Sequence, residues 1–336
     1  MTSKCCGNDC EAKTAVCELS TELSLSDVLG TIKVRLGIGR MHYTVAPGLY
    51  KIGAADENSP VLVTANFKLT VDILRRELTN RNIWLVVVDT NGINVWCAAG
   101  KGTFGTAELI AQLEKVALKS IVAHKTIILP QLCASGVSAF KVQKYSGFSV
   151  IFGPIRAKEL PAFLDCGMKA TEDMRQVKFT FADRMILTPI EIAAAAPQVT
   201  QAAGVMAILN AFGVLPVDRF DYLGLLGAVV AGVLVTPALL PLIPLRPFSA
   251  KGALLGLLWG AASVLVLPFG NSAQVLRIMS YMLMYPAIAA FYAMNFTGCS
   301  TFTSPSGVEK EMRQAIPIML GTLLSGIILR IISFII

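Results

Sequence analysis

The chain has 336 residues, of which 54% are hydrophobic and only 15% charged, with a mean hydropathy of +0.63. That composition excludes both an ordinary soluble domain, which carries about 25% charged residues, and a disordered chain. The net charge of +7 arises from dispersed Lys and Arg without basic runs or aromatic interleaving, which excludes nucleic acid as the partner.

Met1–Cys17 is polar, with no apolar core segment of a secretory signal. The first half is therefore expected to stay in the cytoplasm, where thiols are reduced, so the eight cysteines do not read as a disulfide framework. Cys5, Cys6, Cys10 and Cys17 crowd into a tail of residues 1–24. Their spacing fits no ferredoxin pattern, and the adjacent Cys5-Cys6 pair suits neither tetrahedral zinc nor a cubane cluster. A soft-metal thiol site and a tail without fixed metal both remain open.

Residues 25–187 then alternate amphipathic and β-branched segments. Ser26–Leu36 predicts a helix entered through Ser24 or Ser26 as cap. Val61–Val63, Ile83–Val88, Thr126–Leu129 and Phe148–Phe152 predict buried strands; Val71–Leu78, Ala107–Leu118 and Ala157–Leu164 predict helices. This alternation predicts a doubly wound α/β domain with a mostly parallel sheet, whose ligands sit beyond the carboxyl ends of the strands.

One strand end stands out. Ile83–Val88 runs into a glycine-rich loop, residues 89–105, and then a helix. Gly100-x-Gly102-x-x-Gly105 matches the dinucleotide fingerprint. The next strand, however, ends in Pro130-Gln131-Leu132-Cys133 rather than at the acidic residue that would hold a ribose, and the loop is too long for a tight phosphate turn. A Walker loop fails because position 95 is Val. Within the loop, Cys97 reads equally as a small buried hydrophobe or as a functional thiol. A short helix around Asn94–Gly100 would favour the thiolate, a soft metal ligand, at its amino end near Lys101.

Only eleven charges fall in residues 192–336. Five stretches are long enough for helices of about 20 residues, at about 198–217, 222–243, 252–269, 275–295 and 315–336 of a transmembrane domain 188–336. With the amino terminus inside, Arg246, Lys251, Lys310 and Arg313 fall on inside loops, in line with the positive-inside bias. Arg277 and Arg330 fall near span ends and are expected to snorkel. Pro237, Pro241, Pro244 and Pro247 are expected to kink or unwind the end of the second span. Few ionisable groups lie inside the spans, so no ion pathway is expected.

Asn94-Val-Trp-Cys-Ala-Ala-Gly-Lys101 resembles the signature of the HgcA family, the membrane corrinoid proteins of microbial mercury methylation. Val63-Thr-Ala-Asn-Phe-Lys-Leu-Thr70, Ile128-Leu-Pro-Gln131 and Phe152-Gly-Pro-Ile-Arg-Ala157 resemble segments shared with the corrinoid iron–sulfur protein of the acetyl-CoA pathway. Asn295-Phe-Thr-Gly-Cys-Ser-Thr-Phe-Thr-Ser304 resembles a segment of the membrane half.

The resemblance implies a Rossmann-like corrinoid-binding domain followed by about five transmembrane helices, anchored in the cytoplasmic membrane with the corrinoid domain facing the cytoplasm. It implies a base-off, cobalamin-type corrinoid with Cys97 as the lower axial ligand of cobalt. Asn94, Val95, Trp96, Ala98, Ala99, Gly100 and Lys101 would shape a cap helix. Thr64, Asn66, Thr103, Gln131, Gly153 and Arg156 would line the corrin or its tail. Small Ala98 and Ala99 would let the cap approach the ring, and Trp96 would either anchor the cap in the core or simply pack there. The implied activity is a methyltransferase that moves methyl from Cys-ligated methyl-Co(III) to Hg(II), giving methylmercury. The implied partners are an HgcB-like small ferredoxin with two iron–sulfur clusters and a methyltetrahydrofolate-linked methyl donor. The family motif does not require Cys5, Cys6, Cys10 and Cys17; as a soft-metal thiol site they would handle Hg(II), and as a tail without fixed metal they would not. The rival readings are a corrinoid methyl carrier of one-carbon metabolism with no mercury role, and a membrane transport or sensor protein.

Overall fold

The computed structural model describes residues 16–265, 271–299 and 301–336; Cys5, Cys6 and Cys10 lie outside them, as does the end of the expected 252–269 span. The chain forms two compact units, one built on residues up to Val177 (Arg35–Gly37 excepted) and one on Lys178–Ile336.

In chain order the first unit contains β1 (Cys17–Glu18), α1 (Leu25–Arg35), β2 (Gly48–Ile52), β3 (Val61–Ala65), α2 (Lys68–Glu77), β4 (Ile83–Val88), α3 (Val95–Lys101) and α4 (Thr106–Lys115). It continues with β5 (Thr126–Leu129), α5 (Ala139–Ser146), β6 (Ser149–Phe152) and α6 (Leu160–Asp165). The six strands form one sheet in the order β1-β2-β4-β3-β5-β6. Strands β3 to β6 are mutually parallel, as expected, whereas β2 runs antiparallel to β4. Every residue of β3 and β4 is buried, as a central parallel strand covered on both faces requires. Alternate strand residues feed two cores. Val63, Val86 and Ile127 pack with Phe104, Leu109 and Val142 on one face. Leu62, Leu85 and Ile128 pack with Val71, Leu78 and Phe163 on the other. The result is a mixed α/β sheet of Rossmann-like character.

The second unit contains α7 (Phe181–Met185), α8 (Thr188–Ala211), α9 (Arg219–Val230), α10 (Thr236–Leu239), α11 (Phe248–Val264), α12 (Ser272–Asn295) and α13 (Pro305–Ile335). Among the described residues, four stretches are long and apolar enough to cross a membrane: Phe181–Ala211, Arg219–Leu239, Ser272–Gly298 and Ser306–Ile335. The sequence led us to expect five. The third expected span begins within α11, a helix of 17 residues, and its expected end lies outside the described residues. The first expected span starts too late, because α8 continues through Pro197. The second stops at Leu239, after a π-helical turn at Ala231–Val235, where the proline-punctuated run begins.

Helix α11 packs on α12 through Gly252, Gly256 and Gly260, spaced by four. An added Cβ at Gly252 would meet Ala289 O at 2.5 Å, and one at Gly256 would meet Tyr285 O at 2.4 Å; this close backbone approach is typical of small-residue helix pairing. The arginines expected to snorkel are instead ion-paired. Arg330 binds Asp221 at 3.1 Å, and Arg277 binds Asp218 at 2.6 Å and Asp221 at 3.4 Å. Tyr281 donates its hydroxyl hydrogen bond to Asp221. Asp221 and Arg330 are both buried, so the charges are satisfied by one another rather than by reaching water.

Candidate functional site

The site is built on the turn after β4. Asn66, just past β3 and 5% exposed, organises it. Its Oδ1 accepts from Thr90 N (3.1 Å), Thr90 Oγ1 (2.8 Å) and Gly92 N (3.0 Å), while Nδ2 donates to Asp89 Oδ1 (2.9 Å). Asn91 and Gly92 take left-handed conformations, φ 55 and 72, which these residue types tolerate best. The turn leads to Asn94, which caps α3 by accepting a hydrogen bond from Cys97 N at 2.9 Å. Gly102, at φ 81, closes the far end.

Helix α3 divides its residues cleanly. Val95, Ala98 and Ala99 are buried, Ala98 completely. Trp96, Cys97, Gly100 and Lys101 are exposed. One expectation is thereby corrected. Trp96 is 43% exposed and does not anchor the cap; Val95, Ala98 and Ala99 do. The two alanines face the domain, where a Cβ at Gly136 would come within 3.0 Å of Ala99 O and 2.8 Å of Phe104 O. Positions 95, 98 and 99 share a helical face opposite 96, 97 and 100, so the residues that hold the helix and those that it presents are different sets.

Beside α3, beyond the ends of β3 and β5, lies a cavity of about 320 Å³ lined in part by Thr64, Asn94, Val95, Trp96, Pro130 and Gly153. The connections from β3 and β5 diverge here, β3 leading to β4 and β5 to β6 on the opposite side; this is the switch point at which open α/β sheets bind ligands. Thr64 is 1% exposed and its Oγ1 has no hydrogen-bond partner in the protein. A buried hydroxyl left unpaired at a cavity wall is free to bond to whatever occupies the cavity, water or ligand.

Other expected site residues do different work. Asn66 is spent on the turn and is absent from the cavity lining. Thr103 Oγ1 donates to Ala98 O at 3.5 Å, bracing α3 from below. Gln131 has a buried Oε1 without a partner but does not line the cavity. Arg156 is half-buried beside the turn at Ala157–Glu159, also outside the lining. Cys17 lies in β1. Cys133 is fully buried, and burial pushes its thiol up to about 12, so it is inert at neutral pH. Among the described residues, no three His, Cys, Asp or Glu side chains gather into a metal-binding group. Sequence reading missed Thr90 and Gly136 because their roles depend on backbone contacts with residues distant in the chain.

Together these features define an α/β domain with a switch-point cavity and a braced cap helix that exposes the Cys97 thiol. Comparison with known proteins assigns this half more closely. Residues 25–164 match the model of the CO dehydrogenase/acetyl-CoA synthase delta subunit family. The chain is 38% identical over 124 residues to the acetyl-CoA decarbonylase/synthase complex subunit gamma of Methanopyrus kandleri, covering 36% of this chain and 26% of that protein. It is 38% identical over 117 residues to the corrinoid/iron-sulfur protein large subunit of Moorella thermoacetica, covering 34% of this chain and 26% of that one. The first unit is thus related to the corrinoid protein of the acetyl-CoA pathway, and the match spans about a quarter of the length of each relative.

Proposed function

We propose that this protein is a membrane-anchored corrinoid protein that accepts and delivers methyl groups, with Cys97 as the residue that would hold the cobalt. The carrying observation is the exposed Cys97 thiol on a helix that Asn94 caps through the Cys97 N–H; Asn94, Val95 and Trp96 of this segment line the cavity with the unpaired Thr64 hydroxyl, while Cys97 itself lies outside that lining. These residues suit a corrinoid: one soft donor for the metal, an apolar crevice, and a hydroxyl to donate to a pendant polar arm. When bound, the corrinoid supplies a cobalt centre able to carry methyl. The protein's part is positional. Val95, Ala98 and Ala99 hold the cap to the domain, Asn94 fixes its first turn, and Trp96 covers the cavity rim.

The relatives, by their names, support a methyl carrier of one-carbon metabolism. A second reading, methyl transfer to Hg(II), is favoured by Cys97 itself, because a thiolate is a strong, soft donor and suits release of methyl to a soft metal. In either reading, the long apolar helices of the second unit cross the cytoplasmic membrane and the first unit faces the cytoplasm. A low-potential two-cluster ferredoxin of the HgcB type returns the cofactor to its reduced state, and a methyltetrahydrofolate-linked enzyme supplies methyl.

The test is cobalt content and visible absorbance of the full-length protein loaded with corrinoid, wild type against Cys97→Ala and Cys97→His. The wild type retains cobalt, and both substitutions shift the visible bands. Identical spectra would refute Cys97 ligation. Loss of methylmercury formation in Cys97→Ala supports the second reading. No methylmercury from the wild type, with methyl transfer to one-carbon acceptors retained, leaves the carrier.

A further inference from the structure

Helix α1 is amphipathic in the reverse sense for a helix packed on a soluble domain. Its inward face is polar and small. Asp27 makes ion pairs with Lys68 and, at 2.7 Å, with Arg75; a Cβ at Gly30 would meet the Tyr43 hydroxyl at 2.5 Å; and Val34 is the one apolar residue that the helix buries. Its outward face is aliphatic: Leu25 is 83% exposed, Val28 44%, Leu29 58% and Ile32 50%. At about 100° per residue these four positions fall within an arc of about 100°, a continuous stripe. The chain after the helix extends it with exposed Ile38 and Met41.

The surroundings select what covers this stripe. Asp27 is the only acid in residues 25–42 and is turned inward, whereas Lys33 stands exposed beside the stripe. The preceding residues 1–15 contain no Leu, Ile, Val or Phe and so cannot supply an apolar cover. The same chain carries four helices of bilayer length, which would hold this domain within reach of a lipid surface. An apolar stripe with an exposed lysine beside it and no acid on its own face complements the boundary between anionic headgroups and acyl chains.

We propose that α1 lies in the membrane interface, its Leu25–Ile32 stripe among the acyl chains of anionic phospholipid and Lys33 at the phosphates. This inference rests on the membrane reading above and adds a second, peripheral attachment that fixes the domain's orientation relative to the bilayer.

The test places a photoreactive benzoylphenylalanine at Leu29 of the full-length chain in native membranes, with the same probe at Leu324, a 58%-exposed position of α13, as reference. The expected product at both positions is a phospholipid adduct. With Leu25→Ser and Ile32→Ser added, the adduct at position 29 should fall about tenfold while that at 324 is unchanged, since the stripe then lacks the apolar area that holds it in the interface. Lipid adducts at 324 with protein adducts at 29, whether to the same chain, a second copy or another protein, overturn the interfacial helix alone. Absence of lipid adducts at both positions overturns it together with the membrane reading.

Discussion

The geometry of the cap makes Asn66 the residue whose loss should be felt farthest from its own position. Asn66→Ala removes an acceptor shared by Thr90 N, Thr90 Oγ1 and Gly92 N, and a donor to Asp89. The hydroxyl of Thr90 keeps a second partner in Ile93 O at 2.7 Å, but the Thr90 and Gly92 amides, both in buried residues, are left without one. At about 1–3 kcal/mol for each buried donor left unsatisfied, the loss is about 2–6 kcal/mol, concentrated in the turn that launches α3. A loss of about 3 kcal/mol corresponds to hydrogen exchange roughly a hundredfold faster through local opening. The assay is amide exchange on the full-length protein, resolved over residues 89–102 and compared with the central strands β3 and β4 as internal reference. Asn66→Asp serves as a second probe: it keeps the acceptor but loses the donor to Asp89, so its exchange should fall between that of Asn66→Ala and wild type. Exchange of the Val95–Lys101 amides within threefold of wild type in Asn66→Ala would refute the claim that Asn66 sets the cap.

Three further outcomes follow from the same contacts. Gly256→Leu should cost more than 1–3 kcal/mol, the usual range for overpacking, because the obstacle at 2.4 Å is the Tyr285 carbonyl of α12; Gly260→Ala, with its nearest neighbour Met282 Sδ at 3.4 Å, should leave the thermal unfolding midpoint in detergent nearly unchanged. Asp221→Ala strands the buried Arg330 guanidinium and should cost about 3–5 kcal/mol, whereas Asp221→Leu combined with Arg330→Met should recover much of the lost thermal stability; no recovery would show that the pair is not the reason. Burial opposes ionisation of Asp27, but hydrogen bonds from Lys68, Ser24 and Arg75 overcome it and hold the carboxyl well below the ordinary range. Its folded affinity for a proton is therefore weaker than in the unfolded chain, so its contribution is complete above about pH 4 and fades as pH falls further. Exchange protection of α1 should decline in acid in wild type and show a flatter profile in Asp27→Asn.

The elements legible in the sequence were those whose signal is local. Ile83–Val88 and Thr126–Leu129 are continuous β-branched runs, and the structure has strands over the same residues. The short helix around Cys97 was expected only through the family resemblance, and its Asn94 cap emerged from the structure. β2 was not legible, because Gly-Leu-Tyr-Lys-Ile has mixed polarity and owes its strand to pairing with β4. The buried Arg330–Asp221 pair was missed for a related reason: 109 residues separate the partners, and each taken alone looks like a charge at the end of an apolar stretch. The start of α11 at Phe248 was missed because an uncharged run does not fix where a helix begins.

The division of labour in α3 has a consequence for how the site tolerates change. The groups that fix the helix are Asn66, Asn94, Val95, Ala98, Ala99 and Gly136, and they are spent on the domain's own turn, cap and core. The groups it presents are Trp96, Cys97, Gly100 and Lys101, none of which is buried. A substitution at Cys97 therefore changes what is offered to a ligand without disturbing what holds the offer in place, because the Cys97 contribution to the cap is its backbone N–H, common to every residue but proline. Chemistry at this position can be altered independently of the fold, which is why Cys97→Ala and Cys97→His report on ligation rather than on folding, and why the corresponding changes at Ala98 or Gly136 would not.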